Sequence, residues 1–394
     1  MASPSSAKTA PRGPMTFTPI AGSSYDAAQD LDAPWTIPDG YSQEIVADES
    51  ALDIYPGQHD WHDMNTSNET GKRAGRYLYR THEVRGVPSG GAISVVDLKT
   101  GKVSVIAQGA DWTALDGIRW TPWNTVLFAE ETANGRFFEL QIDKKDPTKG
   151  TVEERPAVGA LAHEGITIDA GGNVYVIDET FGGSIYRFKP DKKGDLSSGQ
   201  LSALKITKEG SSRGTGNFTW LPLDRELVKT DGRAAALSAG ATGYARPEDL
   251  EVIGSTLYSA ITDADDGEKV GRVLAIDLKK RKVSEYVAVD TNAKPEDRAT
   301  RATGFASPDN LAKGPDGCLW IAEDNSPSDI WRACGHTSKG SAKKIDLFAS
   351  LGDPAAEGTG IYFGKDPQSL FVNVQHSGNG NDKTMKITKS RRIR

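Results

Sequence analysis

The sequence predicts an all-β fold, a six-bladed β-propeller with an insertion between blades three and four. Three observations carry this expectation. A unit of short apolar runs recurs about six times along the chain. Glycine is abundant, 42 of 394 residues, against a modest apolar share of 37%. Almost no segment sustains the i, i+3, i+4, i+7 spacing of a helix.

The elements follow in order. "GRYLYRTHE" with "GAISVVDLKTGKVSVIA" forms a degenerate first unit. "LDGIRWTPWNTVLFAEE", "HEGITIDAGGNVYVIDE", "PEDLEVIGSTLYSAITD", "PDNLAKGPDGCLWIAED" and "GTGIYFGKDPQSLFVNVQH" follow. Each of these five opens with small or acidic residues, then one aliphatic: Ile118, Ile166, Leu250, Leu311 or Ile361. A second apolar run comes about eight residues later, after a turn mostly rich in Gly, Pro, Asn or Asp. "GRFFELQID", "GSIYRFKPD" and "GRVLAIDLK" supply third runs, and "KVSEYVAVD" a fourth. One such sheet cannot bury both faces alone, whereas sheets packed radially bury each other. Residues 192–243 read as the insertion, a rim or lid in which "RELVKTDGRAAALSAG" is a short helix. The expected organisation is a flexible leader over 1–32, one propeller domain over 33–385 and a basic tail over 386–394.

Bulk properties exclude several classes. A net charge of −7 argues against a nucleic-acid partner, which needs clustered Lys and Arg. No apolar stretch approaches the roughly 20 residues of a membrane span. Cys318 and Cys334 make no disulfide framework, and spacing leaves open whether they pair. The expected partner is a small molecule, and the expected state a monomer.

The acids fall at equivalent repeat positions. Asp116, Glu164, Glu248 with Asp249, and Asp309 with Asn310 stand at the entrances of the first runs. The ends of the second runs add Glu83, Glu130 with Glu131, Asp178 with Glu179, Asp263, Glu323 with Asp324, and His376. A lone acid before a strand is ordinarily a solvated charge. Recurrence at one end of a shared channel points instead to bound cations, because crowded carboxylates cannot all stay ionised uncompensated. Hard cations are the natural candidates: calcium takes six to eight oxygen ligands, and oxygen-rich sites also suit magnesium, manganese or iron(III).

Arg246, in "YARPEDLEV", has two readings. It either pairs with the adjacent acids or binds an anionic oxygen group beside the metal. Pro247 stiffens its approach. Taken singly, His82, His163 and His376 read as structural, and His59 with His62 in "GQHDWHDM" are spaced for a weak metal pair.

"RTHEV", "TPWNTVLFAEE", "HEGI…VYVIDE…SIYRFKP", "RPEDLE", "PDNL…LWIAED" and "LFVNVQH" together resemble the PhoX-type alkaline phosphatases, from about residue 33 through His376. The resemblance implies a six-bladed propeller with iron and calcium on its axis, phosphomonoester hydrolysis, twin-arginine export, and a periplasmic or extracellular location. It implies Glu83, Glu130, Glu131, Glu164 and Glu248 as metal ligands, with Asp309, Asn310, Glu323 and Asp324 on the calcium part. Asp249 joins this metal set by its repeat position. Arg246 would grip the phosphate, and His376 joins it as a substrate-binding candidate. Relatives carry "NCAGG" before "TPWGTW", with a thiolate that bridges two irons. Here that position is Asp116, a candidate for both metal binding and catalysis, and the change turns preference from iron toward harder cations. Two alternatives stay open: a calcium-dependent propeller enzyme acting on lactones, esters or phosphotriesters or transferring alkyl groups, and a calcium-stiffened binding module without catalysis.

Overall fold

The structure is a computed structural model, and it describes residues 15–264 and 270–390. It is all-β and propeller-like. Its strands form short antiparallel sheets, with one α-helix, Gly232–Ala239, and two 3-10 turns among the described residues. The innermost strands are His62–Ser67, which lies just before the first sequence unit, and Leu115–Trp120, Ile166–Ile168, Pro247–Ile253, Pro308–Lys313 and Glu357–Phe363, which begin the other five. Each touches the next, and the last touches the first, so they enclose a common axis. The second strand of each unit pairs antiparallel on the outside.

Successive sheets bury each other's apolar faces, as the recurring runs require. Phe128 and Phe138 stack at 5.0 Å with Trp112 beside them, between the first and second units. Trp320 and Phe348 meet edge to face at 4.8 Å, between the last two. Each such ring contributes roughly 1.5–3 kcal/mol when fully buried. The circle closes through Tyr41–Asp48, which pairs with the C-terminal strand Lys383–Lys389.

The 192–243 region contains one long strand, Asp195–Glu209, then Gly216–Pro222 and the expected helix. Asp231 caps that helix by accepting from the Ala234 N–H, and Gly240 ends it at φ 72°. The strand Gly216–Pro222 also bonds Lys282–Ala288, which joins two unit sheets into one of nine strands.

The inner ends of the expected leader and tail lie among the described residues. Met15 is buried, and Phe17 lies 4.9 Å from Phe348 under the Arg332 guanidinium. The Ser23 hydroxyl donates to Asp329 at 2.5 Å. Residues 15–32 are therefore docked on the last sheets, because their apolar side chains find a groove there. The basic tail begins inside the closing strand, since Lys386 and Lys389 belong to Lys383–Lys389. Residues 1–14 and 391–394 of those two segments lie outside the described residues.

Five of the six inner strands share one irregularity, and it builds the site. Their pairing slips between His62 and Asn65, Leu115 and Ile118, Pro247 and Leu250, Pro308 and Leu311, and Thr359 and Tyr362. Two residues bulge in each gap, and a bulge re-aims side chains. The chain also turns into four of these strands through positive φ: Trp61 at 43°, Ala114 at 46°, Arg246 at 56° and Ser307 at 44°. The second bulge position faces the neighbouring inner strand closely. A Cβ on Gly117 would stand 1.7 Å from the Glu164 carbonyl oxygen. Gly117→Ala is therefore expected to destabilise the protein by about 1–3 kcal/mol. A lowered denaturation midpoint checks this, and an unchanged one would show that the inner ring is loose.

Candidate active site

The first bulge position aims at the axis. Asp63, Asp116, Glu248 and Asp309 occupy it, and Glu164 holds the same place before Ile166–Ile168. Glu83, Glu131, Glu179 and Asp324, from the ends of the second strands, join them with Glu357. These ten carboxylates, with Arg246, Asn310, Thr359 and Gln375, line a cavity of about 230 Å³ open at one end of the axis.

The cavity's electrostatics follow from burial and crowding. Burial pushes the carboxyls of Asp63, Asp116, Glu164 and Asp309 well above the usual range, and neighbouring carboxylates add to it. Burial, then Glu131, raises Glu83 to about 7. Asp116 Oδ1 and Glu164 Oε2 are buried with no hydrogen-bond partner. Glu164, Glu179 and Glu248 bring one oxygen each within 4.8 Å of one another.

Arg246 is the one cationic side chain lining this cavity among the described residues. Its Nε donates to Glu248 at 2.5 Å and lies 3.3 Å from Glu179, and its second nitrogen reaches Asp324 at 3.2 Å. Burial works against its charge, but these carboxylates outweigh that and hold its pKa above the ordinary arginine value. Gln375 donates toward Asp63 at 3.2 Å. His376 sits at the rim, 3.3 Å from Glu357, whose hydrogen bond raises the imidazole pKa.

The structure thus brings Glu83, Asp116, Glu131, Glu164, Arg246, Glu248, Asp309, Asn310 and Asp324 together. It turns three expected ligands away. Adjacent strand residues point to opposite faces, so one acid of each neighbouring pair enters the cavity and its partner enters the sheet. Glu130 accepts both Arg136 Nε and a terminal Arg136 nitrogen at 2.8–2.9 Å. Glu323 accepts from the Ala306 N–H and the Trp331 indole, each at 2.8 Å. Asp249, at the second bulge position, accepts from the Leu311 N–H at 2.8 Å and bridges inner strands. His376 stands beside the cavity rather than in it. His59 and His62 do not form a pair, for each joins a different cluster.

Sequence reasoning missed Asp63 and Glu357. "HDMN" aligned against "LDGI" places Asp63 opposite Asp116, so that signal was available. Glu357 lies three residues before the bulge Gly360–Ile361, a position at which no other unit carries a cavity acid. Thr359 and Gln375 carry no repeat signal.

Cys318 and Cys334 form a disulfide between paired strands, with Cα atoms 4.7 Å apart. No thiol lines the cavity. No helix among the described residues is long and apolar enough to cross a membrane.

An all-β ring around an axial well of carboxylates defines a propeller-like protein suited to hard cations. The PhoX family model, "Alkaline phosphatase PhoX", matches residues 138–378, more than half of the chain. The chain belongs to the PhoX alkaline phosphatase family and is a phosphoester hydrolase. The matched segment begins after Asp116 and Glu131. Among solved structures, PhoX of Pseudomonas fluorescens in complex with vanadate, a transition state analogue, is 18% identical. The alignment covers 93% of this chain and 98% of that one, at a TM-score of 0.68. A putative gluconolactonase is 12% identical, with coverage of 92% and 97% and a TM-score of 0.51. A putative oxidoreductase (glucose dehydrogenase) of Thermus thermophilus is 15% identical, with coverage of 88% and 100% and a TM-score of 0.50. At these identities the likeness is one of fold. A comparison with curated protein sequences finds no match.

Proposed function

We propose that this protein hydrolyses phosphate monoesters in the axial cavity, with carboxylate-held cations and with Arg246 binding the phosphoryl oxygens. The carrying observation is the set of ten carboxylates lining the well with Arg246, two of them, Glu83 and Glu131, also paired with Arg85 beside it, and with Asp116 Oδ1 and Glu164 Oε2 buried and unpaired. Such oxygens fit hard cations. Glu83, Asp116, Glu131, Glu164, Glu179, Glu248, Asp309 and Asp324 are the proposed ligands, with Asp63 and Glu357 added. The oxygen-only donor set favours calcium; iron(III) suits the same oxygens, but without the thiolate bridge.

When bound, the cations supply positive charge that polarises the phosphoryl group and activates water. The chain's own residues do the rest. Arg246 directs its guanidinium into the well and neutralises charge on the equatorial oxygens. Asp116 fills the place where relatives carry a cysteine, and supplies a carboxylate there. His376, its pKa raised by Glu357, draws the anionic substrate to the rim. Thr359 and Gln375 supply neutral donors around the bound group.

The nine-stranded sheet divides naturally at Gly216–Pro222, which supports six blades, with the insertion at 192–243 forming the rim near Arg246. We read residues 15–390 as one domain. The disulfide suits an oxidising compartment, periplasmic or extracellular.

Elemental analysis of purified protein, together with rates on phosphomonoesters, lactones and phosphotriesters, tests this reading. The expected result is several calcium ions per chain and a preference for monoesters. Metal-replete protein that prefers lactones or triesters would instead favour divergent chemistry, to which Asp116 in the thiolate position lends itself.

A further inference from the structure

A second cluster of ligand-type side chains lies outside the axial well, where the ring closes. Glu49 directly follows Tyr41–Asp48, His59 lies in the connection to His62–Ser67, and Asp382 directly precedes Lys383–Lys389. One ligand atom from each lies within 4.8 Å of the others. Asp382 is 0% exposed; its Oδ1 accepts from the Ser377 N–H at 2.8 Å, and its Oδ2 is buried with no partner. His59 Nδ1 is also buried without a hydrogen-bond partner, 3.4 Å from Glu49 Oε1. That Glu49 oxygen accepts from the Asp60 N–H at 2.7 Å, which orients it. Native proteins seldom leave such atoms unpaired, and an ion is one standard explanation.

We propose that Glu49, His59 and Asp382 form a zinc site that fastens the seam between the first and last strands of the ring. One imidazole and two carboxylates are a borderline donor set suited to zinc, and a water completes four-coordination. The axial well offers oxygen alone and suits harder cations, so the two sites sort metals by donor chemistry. The His59 side chain is 40% exposed, which gives the ion a path from solvent. The neighbouring Asp60–His62–His82 cluster is less suitable. Its His82 nitrogens are taken by the Asp60 carbonyl and the Ser94 hydroxyl, each at 2.8 Å, and the buried Arg80 charge bears on both imidazoles. A metal at Glu49, His59 and Asp382 ties together three segments, adding to the strand pairing and to the Asn381–Asp48 hydrogen bond. It stabilises the native state by mass action, since the unfolded chain does not assemble the three ligands.

The test uses the full chain with calcium saturating. Zinc content per chain, cobalt(II) absorption and the zinc-induced melting shift are measured for wild type, His59→Gln and Asp382→Asn. The wild type is expected to hold one more zinc per chain than either variant. Its cobalt form is expected to show visible bands that the variants lack, and zinc should raise its melting temperature alone. Partly exposed His59 tolerates glutamine, so His59→Gln decides the matter if Asp382→Asn folds poorly. Equal zinc content and equal melting shifts in wild type and His59→Gln would overturn the site.

Discussion

Arg246→Ala is expected to lower kcat/KM for an aryl phosphate by about 10²–10³-fold, the effect of removing one well-placed donor from developing charge. Arg246 occupies the residue before an inner strand, where Ala114 and Ser307 stand in sister units. Nothing in the backbone demands arginine there. Its φ of 56° instead costs of order 1–3 kcal/mol in a non-glycine residue. Trp61, Ala114 and Ser307 share this positive φ, so the turn itself does not select arginine. Arg246→Gly separates the two readings, because glycine suits the positive φ and removes the guanidinium. In calcium-replete protein this variant should fold and yet lose turnover as alanine does. Arg246→Lys keeps the charge without the two-pronged geometry, so an intermediate rate is expected. Steady-state rates and thermal melts of the three variants, all with metal saturating, make the measurement. Wild-type turnover in Arg246→Gly would assign Arg246 to the ion pairs with Glu179, Glu248 and Asp324 alone.

The repeat made the fold legible. Apolar runs about eight residues apart identified the strands, and the acids before Ile118, Ile166, Leu250 and Leu311 marked one end of the axis. Bulge geometry was not legible. "PED" and "PDN" each place two polar residues in a slip of register, and the slip alone decides that Glu248 and Asp309 face the well. Asp249 turns to a neighbouring peptide. The pairs Glu130–Glu131 and Glu323–Asp324 pose the same problem, for strand alternation sends one member to the well. Which member depends on partners elsewhere in the chain, Arg136 and Trp331. The docked segment from Met15 was invisible for a related reason. Its apolar residues, Met15 and Phe17, are few, and the groove that receives them is built by residues around 320–350.

Chelation is expected to destabilise the protein and to reverse the usual effect of acid on it. In metal-free protein, Asp63, Asp116, Glu164 and Asp309 have carboxyls raised well above their ordinary values, and Glu83 is raised from 4.5 to about 7. The unfolded chain restores ordinary values, so between about 4.5 and 7 these carboxyls bind more protons in the native state than in the unfolded one, and their contribution to stability falls as pH rises through this window. The buried imidazoles of His62, His82 and His163, lowered by burial, act in the opposite sense below about 6.5, and the more numerous carboxyls of the well outweigh them. For Glu83 alone the full effect is roughly 3 kcal/mol. Ion pairs that need ionised carboxylates oppose this trend only at lower pH; Asp97, held to about 2 chiefly by its hydrogen bond to Arg76, ionises well below the window. EDTA-treated protein should accordingly melt several degrees higher at pH 5 than at pH 8. Saturating calcium should raise the melting temperature most at pH 8 and flatten the dependence, because the cations replace the protons. Metal-free protein that melts higher at pH 8 than at pH 5 would mean that these carboxylates are not crowded in solution, and the cation-holding well would lose its physical basis.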